Sequence, residues 1–412
     1  MSTTCFDLPE DTGFGLDNLP YGVFSTEPGG RRRVGVAFGD WVIDVSHLDV
    51  PAADALAAPS LNPLMARGRA TWNALRTRLR RLLCDPETCD AVGAHLIPRD
   101  RVTMHLPIEV ADYVDFYSSQ HHAENLGRMF RPDSPPLTPN WKHLPIGYHG
   151  RAGTVAVSGT PVVRPCGQRR TPTDEAPTFG ASQRLDIETE VGFVVGAGSE
   201  LGSPVPLAEF ERHVFGVCLV NDWSARDLQS WEYVPLGPFL GKSFLTSVSP
   251  WVVPLAALEA ARVSPPARDV PLLPYLDDAG TDPWGLAIEL QVRLNGELLS
   301  CPPFRGMYWT PAQQLAHMTV NGASLRTGDL FASGTVSGPD KDQRGSFIEL
   351  SWGGKEPIPL ADGTTRTFLE DGDVVTITAT APGPDGTRIA FGEVTGRVEP
   401  ALTAPRRPGT AA

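Results

Sequence analysis

The chain of 412 residues lacks the features of several common classes of protein. Beyond residues 31–33 and 76–81 it has no basic tract, and 35 basic against 48 acidic residues give a net charge of −13. A nucleic-acid-binding surface would need a clustered positive charge. The uncharged run 243–258 carries two prolines and falls short of the roughly 20 apolar residues that span a membrane. We therefore expect neither a nucleic-acid partner nor a membrane partner.

Cysteine is also scarce, and the six cysteines form no metal-ligand spacing. The N-terminal residues have neither the basic start nor the apolar core of a secretory signal. We therefore predict reduced thiols in a cytoplasmic protein. The cysteines are Cys5, Cys84, Cys89, Cys166, Cys218 and Cys301.

Glycine and proline are abundant, at 41 and 40 residues, while 41% of the chain is hydrophobic. This composition predicts a sizeable core built from many short strands, and thus a mainly β (α+β) fold. Strict alternation from Leu286 to Leu294 before Asn295-Gly296 predicts a hairpin. Polar and aromatic residues become dense after Pro107. We therefore divide the chain into an N-terminal unit 1–106, a catalytic unit 107–400 and a flexible tail 401–412.

Three acidic residues, Asp186, Glu188 and Glu190, alternate along a predicted strand over 185–195. Alternate residues share one face of a strand, so the three carboxylates lie together. Such a face is commonly exposed to solvent. It also suits a hard cation such as Ca²⁺ or Mg²⁺, which takes several carboxylate oxygens. The pattern alone favours the exposed face.

A second polar cluster follows the apolar run 214–220 and begins with Asp222. An acidic residue at the end of a buried strand can hold a ligand, but it is also a common helix cap. Arg226 and Gln229 follow within two helical turns. Lys242 lies in a segment rich in glycine and proline, where a surface position is the ordinary expectation.

A third cluster, residues 112–125, combines two aspartates, two tyrosines and the adjacent His121 and His122. Neighbouring side chains of a helix point about 100° apart, so one histidine rather than both can face a common site. A histidine near carboxylates and hydroxyls is a candidate general base.

Five long strings together resemble the fumarylacetoacetate hydrolase family, and they span most of the chain. The strings are DYVDFYSS (112–119), PIGYHGR (145–151), NDWSARDLQ (221–229), WEYVPLGPFLGKSF (231–244) and GTVSGP (334–339). The resemblance implies a small SH3-like β-barrel domain followed by a mixed β-sandwich roll, and a homodimer. It also implies hydrolysis of a carbon–carbon bond in a β-diketone, 4-fumarylacetoacetate, to fumarate and acetoacetate, the last step of tyrosine and phenylalanine breakdown.

The resemblance also implies roles for individual residues. His122 would activate water with help from Glu349, while Arg226, Gln229 and Lys242 would hold the oxyanion. His121 would be incidental, and Asp186 would lie behind the ligand set or on the surface. The implied substrate-binding residues, besides Gln229, are Tyr117, Arg131, Tyr148, Tyr233 and Thr335. The implied ligands of Ca²⁺, Mg²⁺ or Mn²⁺ are Asp115, Glu188, Glu190 and Asp222, with Lys242 and Thr246 lining a second Mg²⁺ site.

Two competing functions share parts of this pattern. A hydratase, decarboxylase or acylpyruvate hydrolase of the same superfamily would use the same metal site, but His122 with Glu349 favours the diketone hydrolase. An inactive β-rich binding protein would lack some of the motif residues, and none is missing.

Overall fold

The computed structural model describes residues 4–9, 12–171, 173–280 and 284–402. Among them short strands predominate over short helices, and the prediction of a mainly β fold with a sheet-rich catalytic part is confirmed. In chain order the strands are β1 (Tyr21–Ser25), β2 (Arg33–Phe38), β3 (Trp41–Asp44), β4 (Leu96–Pro98), β5 (Thr103–His105), β6 (Tyr113–Phe116), β7 (Gly147–His149), β8 (Val155–Val157), β9 (Val162–Val163), β10 (Cys166–Arg169), β11 (Thr178–Ala181), β12 (Leu185–Asp186), β13 (Thr189–Val195), β14 (Val214–Asp222), β15 (Ser224–Ala225), β16 (Thr246–Val248), β17 (Trp251–Pro254), β18 (Arg262–Val263), β19 (Gly285–Leu286), β20 (Glu289–Leu294), β21 (Glu297–Ser300), β22 (Leu330–Ala332), β23 (Ile358–Pro359), β24 (Thr365–Arg366), β25 (Val374–Pro382) and β26 (Arg388–Glu399). The helices are α1 (Ala53–Leu56), α2 (Asn62–Met65), α3 (Arg69–Cys84), α4 (Cys89–Gly93), α5 (Gln120–Phe130), α6 (Phe210–His213), α7 (Arg226–Glu232), α8 (Pro311–Thr319) and α9 (Phe347–Leu350).

One large sheet runs through both the N-terminal and the catalytic parts of the chain. Its strand order is β4-β3-β2-β1-β17-β14-β13-β22-β6-β7, with β5, β8 and β16 attached at its sides. The join is the antiparallel pair β1 and β17, in which Tyr21 lies opposite Val252. The N-terminal strands are therefore an extension of the catalytic sheet, and the domain boundary at residue 106 stays a prediction.

The central strands β13 and β14 are buried on both faces. Phe193 and Leu219 face a core shared with the second sheet, whose order is β21-β20-β25-β26-β9. The alternate residues Val194 and Val220 face a separate core closed by α3. Because side chains alternate across a strand, one apolar run serves both cores. The result is a layered arrangement with the polar ends of β13 and β14 at one edge.

The local signals in the sequence match the elements at three places. The hairpin of β2 and β3 turns where Phe38 lies opposite Trp41. Asn295 and Gly296 both adopt positive φ between β20 and β21, as a tight hairpin turn requires. Thr310 caps α8 by accepting a hydrogen bond from Gln313 N–H, whose side chain bonds back to the cap.

The prediction of six reduced thiols is wrong for one pair, because Cys5 and Cys89 form a disulfide. Their Cα atoms lie 6.3 Å apart, and the N-terminal segment is held there by the Cys5 N–H bond to the Leu83 carbonyl. A separation of 84 residues gives no pairing signal without the fold. In the part of the chain described, no helix has the length and apolar character needed to cross a membrane. The predicted tail lies outside the described residues from 403 onward.

Candidate active site

Four buried carboxylates from three separate segments meet where neighbouring strands of the large sheet begin or end. They belong to Asp115 in β6, Glu188 just before β13, Glu190 in β13 and Asp222 at the end of β14. Each offers one oxygen, and these oxygens all lie within 4.8 Å of one another. The strand face that the pattern alone would place in solvent is therefore an interior face.

Strand pairing brings the four carboxylates together. Glu190 lies opposite Val220, two residues before Asp222, in the antiparallel pair of β13 and β14. Asp115 enters from the other side, because β6 runs parallel to β22, which in turn pairs with β13. Asp222 is not a helix cap, since α7 begins at Arg226 and its cap residue is Ala225.

The cluster carries more negative charge than its protein surroundings neutralise. Burial, reinforced by Asp222, raises the pKa of Asp115 well above its usual value, and burial with Asp115 does the same for Glu190. Both carboxylate oxygens of Glu190, and Oδ1 of Asp115, lack a hydrogen-bond partner among the described residues. Orphaned, buried carboxylate oxygens that face one another are the donor set of a hard dication such as Ca²⁺, Mg²⁺ or Mn²⁺. The residues present therefore fit the predicted metal.

Lys242 is buried, contrary to the expectation of a surface lysine. Its Nζ donates to Asp222 Oδ2 at 2.6 Å and to Glu188 Oε2 at 2.7 Å, and Thr246 Oγ1 donates to Asp222 Oδ1 at 2.8 Å. Burial alone would lower the pKa of Lys242, but the two carboxylates raise it above its usual value. A small cavity of about 80 Å³ opens onto Asp222, Lys242 and Thr246.

Arg226 lies beside the carboxylate cluster and is held by two acidic residues. Its Nε donates to Asp186 Oδ2 at 2.8 Å, and Nη1 donates to Glu188 Oε1 at 2.6 Å and to Gln229 Oε1 at 3.3 Å. Burial would raise the pKa of Glu188, yet Lys242 and Arg226 hold it below its usual value. The remaining guanidinium nitrogen, Nη2, has no partner among the described residues. It is thus a buried donor available to a ligand.

His122 and Glu349 form a buried pair close to Glu188, whose pKa His122 helps to lower. The Nδ1 atom of His122 lies 2.7 Å from Glu349 Oε2. Ser119 caps α5 and accepts a hydrogen bond from His122 N–H, which fixes the histidine in the first helical turn. His121, its neighbour, is only partly buried.

Three further side chains, none of them predicted from the sequence, bind Glu349. Asn125 donates to Oε1 at 3.0 Å, while Ser337 and Ser346 donate to Oε2 at 2.9 and 2.7 Å. Asn125 is three residues beyond His122 on α5, and this helical spacing could have revealed it. The two serines had no comparable signal. Burial alone would raise the pKa of Glu349, but His122, Asn125 and Ser346 lower it to about 2.

The five predicted substrate-binding residues other than Gln229 lie at different depths in the protein. The ring of Tyr117 lies edge-on to His122 with 5.4 Å between ring centres, and Tyr148 lies opposite Asp115 in the pair of β6 and β7. Thr335 is buried, and its Oγ1 has no partner among the described residues. Arg131 and Tyr233 are exposed, so the structure brings three of the five into the buried site.

Comparison with known proteins agrees with this geometry. The family profile described as fumarylacetoacetate (FAA) hydrolase C-terminal matches residues 112–399, and the profile described as fumarylacetoacetase N-terminal matches residues 17–107. The chain belongs to the fumarylacetoacetate hydrolase family. The resemblance found in the sequence is thereby confirmed.

Relatives from distant organisms align with nearly the whole chain. It is 49% identical to a fumarylacetoacetase of Homo sapiens, with 96% of this chain and 98% of that protein aligned. A fumarylacetoacetase of Arabidopsis thaliana is 44% identical, with 96% and 97% aligned. A solved fumarylacetoacetate hydrolase from psychrophilic Exiguobacterium antarcticum shares the fold, with a TM-score of 0.55 at 18% identity over 93% of this chain and 100% of that one.

Proposed function

We propose that this chain hydrolyses fumarylacetoacetate to fumarate and acetoacetate, the last step of tyrosine and phenylalanine breakdown. The observation that carries the proposal is the His122–Glu349 pair set beside four carboxylates and two buried cations. The names and the high coverage of the relatives support it. A decarboxylase adds no water, so it would not need a buried base with its own orienting carboxylate.

Asp115, Glu188, Glu190 and Asp222 would hold the metal ion. When bound, a hard dication polarises the two carbonyls of a β-diketone and offsets the charge of an enolate. We propose Ca²⁺ for these four carboxylates, with Mg²⁺ and Mn²⁺ as the ions to compare. We also propose that Thr246 and Lys242 line a second Mg²⁺ site beside Asp222; a protonated amine has no lone pair, so Lys242 would border that site without ligating the ion.

Water is activated by His122. Because Nδ1 is engaged with Glu349, Nε2 is the nitrogen that accepts a proton from water. The hydroxide oxygen bonds to the ketone carbon of the fumaryl half, which becomes a carboxyl carbon of fumarate, and the carbonyl electron pair moves onto the ketone oxygen. Glu349 stays ionised throughout and stabilises the imidazolium, as the acidic member of a catalytic triad does.

Arg226, Gln229 and Lys242 stabilise the tetrahedral oxyanion. Arg226 Nη2 is a buried donor without a protein partner among the described residues, and the raised pKa of Lys242 keeps its amine charged. Removing one such donor typically costs about 10²–10³ in rate. As the oxyanion collapses, the carbon–carbon bond breaks and its electron pair passes to the acetoacetate enolate. His122 then donates its proton to the enolate carbon that the broken bond has released, which gives acetoacetate.

The substrate has a carboxylate at each end, and we propose that Arg131 binds one of them. Tyr117, Tyr148, Tyr233 and Thr335 would complete the pocket through their hydroxyl groups. Arg131 and Tyr233 are exposed in this structure, so substrate would lie between them and the buried residues.

The decisive experiment follows the diketone absorbance of fumarylacetoacetate after addition of the purified protein. NMR of the products should show fumarate and acetoacetate in equal amounts, and a chelator should stop the reaction until Ca²⁺ is restored. Diketone loss without fumarate would indicate a decarboxylase or hydratase. No diketone loss with any of the three cations would refute the proposal.

We propose that the protein is a homodimer. The segment after α7 exposes apolar side chains, with Leu236 97%, Val234 66% and Phe239 60% exposed, and a patch of this kind often marks a contact surface. Sedimentation analysis of the wild type and of Leu236→Ser tests this. We also propose a cytoplasmic location, although the Cys5–Cys89 bond is unusual for that compartment. Alkylating the thiols during lysis of the source cells would show whether the bond exists there.

A further inference from the structure

Asp186 is a fully buried carboxylate. It accepts four hydrogen bonds from the described residues, and none of these comes from a predicted substrate-binding residue. Oδ1 accepts from the backbone N–H groups of Ile187 and Phe347, each at 2.7 Å. Oδ2 accepts from Arg226 Nε at 2.8 Å and from Ile348 N–H at 3.0 Å. A carboxylate has about four acceptor sites, so its capacity is used in full.

These four bonds link two parts of the site that come from distant segments. Phe347 and Ile348 form the first turn of α9, the short helix that carries Glu349. Arg226 begins α7 and is expected to face the oxyanion. The sequence separation between Asp186 and the two N–H groups of α9 is 161 and 162 residues. The Asp186 carboxylate therefore fixes both the helical turn that carries Glu349 and the plane of the Arg226 guanidinium.

Arg226 depends on Asp186 for its orientation. Its Nε bonds to Asp186 and its Nη1 to Glu188, and two carboxylates at different edges of a planar guanidinium leave one rotational setting. In that setting Nη2 remains without a partner among the described residues. Losing the Asp186 bond would free the group to turn about Glu188.

We propose that Asp186 is a positioning residue that holds Arg226 and the Glu349 turn in one fixed arrangement for the hydrolysis. The inference rests on the proposed function and deepens it. Asp186 takes no part in proton transfer and does not touch the reacting atoms; it acts through the two residues that it orients. A misplacement of about 1 Å in such an arrangement can cost on the order of 10² in rate.

The test is Asp186→Asn in the full-length, Ca²⁺-loaded protein. In asparagine an NH₂ group replaces one carboxylate oxygen of Asp186. At least one N–H group that donates to Asp186 would then face another donor. We expect kcat to fall by about 10- to 100-fold, KM to change by less than about 3-fold, and Ca²⁺ affinity in calorimetry to stay within about 3-fold of wild type. A wild-type kcat or a matching loss of Ca²⁺ affinity would overturn the assignment.

A double-mutant cycle separates positioning from general damage. In the Arg226→Ala and Glu349→Gln backgrounds one of the two oriented residues is already lost, so Asp186→Asn should cost at least about 3-fold less in each than in wild type. An undiminished loss in either background overturns the coupling. An inactive wild type would instead refute the proposed function, so the two failures are distinguishable.

Asp373 provides the matched control. It is also a buried carboxylate that accepts from an arginine, Arg366, and from a backbone N–H, that of Glu370. Asp373→Asn should lower the unfolding midpoint and leave kcat unchanged. If Asp186→Asn does not fold, kcat and Ca²⁺ affinity are measured for Asp186→Ser at a temperature below the thermal unfolding midpoint of that variant. Failure of both to fold while Asp373→Asn folds would assign Asp186 a purely structural role and overturn the proposal.

Discussion

The Nδ1 atom of His122 lies 2.7 Å from Oε2 of Glu349, and the two side chains are 2% and 0% exposed. This contact joins α5 to α9 across 227 residues of sequence. Burial makes the pair hard to replace, because an ionised carboxylate in the interior needs a partner for every lone pair. The side chains of Asn125, Ser337 and Ser346 supply those partners. The pair therefore keeps its geometry before substrate arrives.

His122→Ala should abolish turnover while substrate binding remains measurable. Loss of a general base typically costs about 10²–10⁴ in rate, and the proposed mechanism has His122 accept a proton from the attacking water. Steady-state kinetics and equilibrium binding of the substrate to the inactive variant measure the two effects separately. His121→Ala is the matched control, because His121 lies next to His122 on the same helix and is expected to be incidental. Near-normal turnover by His122→Ala would remove His122 as the base.

Glu349→Gln should lose stability in a pH-dependent way. The pKa of Glu349 is about 2, below the usual 4.5, so its ionised form stabilises the folded protein above the unfolded-state pKa. This contribution is lost as pH falls through the folded-state pKa. The free energy of unfolding should therefore differ between wild type and variant by on the order of 3 kcal/mol at pH 7. The difference should shrink between about pH 4.5 and 2.

Urea unfolding of both proteins at a series of pH values measures that difference directly. Chelator is present throughout, so that metal binding does not contribute. A difference that stays constant from pH 7 to pH 3 would contradict the ionised, hydrogen-bonded state of Glu349.

Glu190→Gln should have opposite effects on stability with and without a cation. With chelator, burial and the repulsion from Asp115 disfavour the charged form of Glu190 and raise its pKa, so a neutral amide there should leave the variant at least as stable as wild type. With Ca²⁺ the wild type should be the more stable, because it has the complete ligand set. Thermal unfolding in both buffers and calorimetry with Ca²⁺ provide the readouts.

Glu200, an exposed carboxylate, supplies the control variant Glu200→Gln, which should show neither effect. Unchanged Ca²⁺ affinity in Glu190→Gln would remove Glu190 from the ligand set.

The sequence predicted the strands better than it predicted their surroundings. Alternation located β20 and the apolar run located β14, because both signals are local. The same alternation suggested an exposed face at Glu188 and Glu190, whereas the fold covers that face with β6 and Lys242. Burial of this kind depends on segments more than 50 residues away in the sequence. The disulfide of Cys5 and Cys89 was missed for the same reason, and the contacts of Asp186 with Arg226 and α9 likewise have no local signature.

Lys242→Met should lower turnover without lowering the affinity for the dication. The lysine is cationic, because Asp222 and Glu188 raise its pKa against the effect of burial, and a protonated amine cannot ligate a metal. Its loss removes an oxyanion donor, for which about 10²–10³ in kcat is expected. It also removes a positive charge from beside the carboxylates, so Ca²⁺ should bind about 10-fold more tightly.

Calorimetry with Ca²⁺ and steady-state kinetics on the same preparation decide between this account and a structural one. Lys355→Met, at an exposed position, is the control and should change neither quantity. Weaker Ca²⁺ binding in Lys242→Met would mean that the lysine supports the ligand geometry of Asp222 and Glu188 more than it competes with the ion. Tighter binding together with slower turnover would show that the lysine lowers metal affinity and supplies the charge that the oxyanion needs.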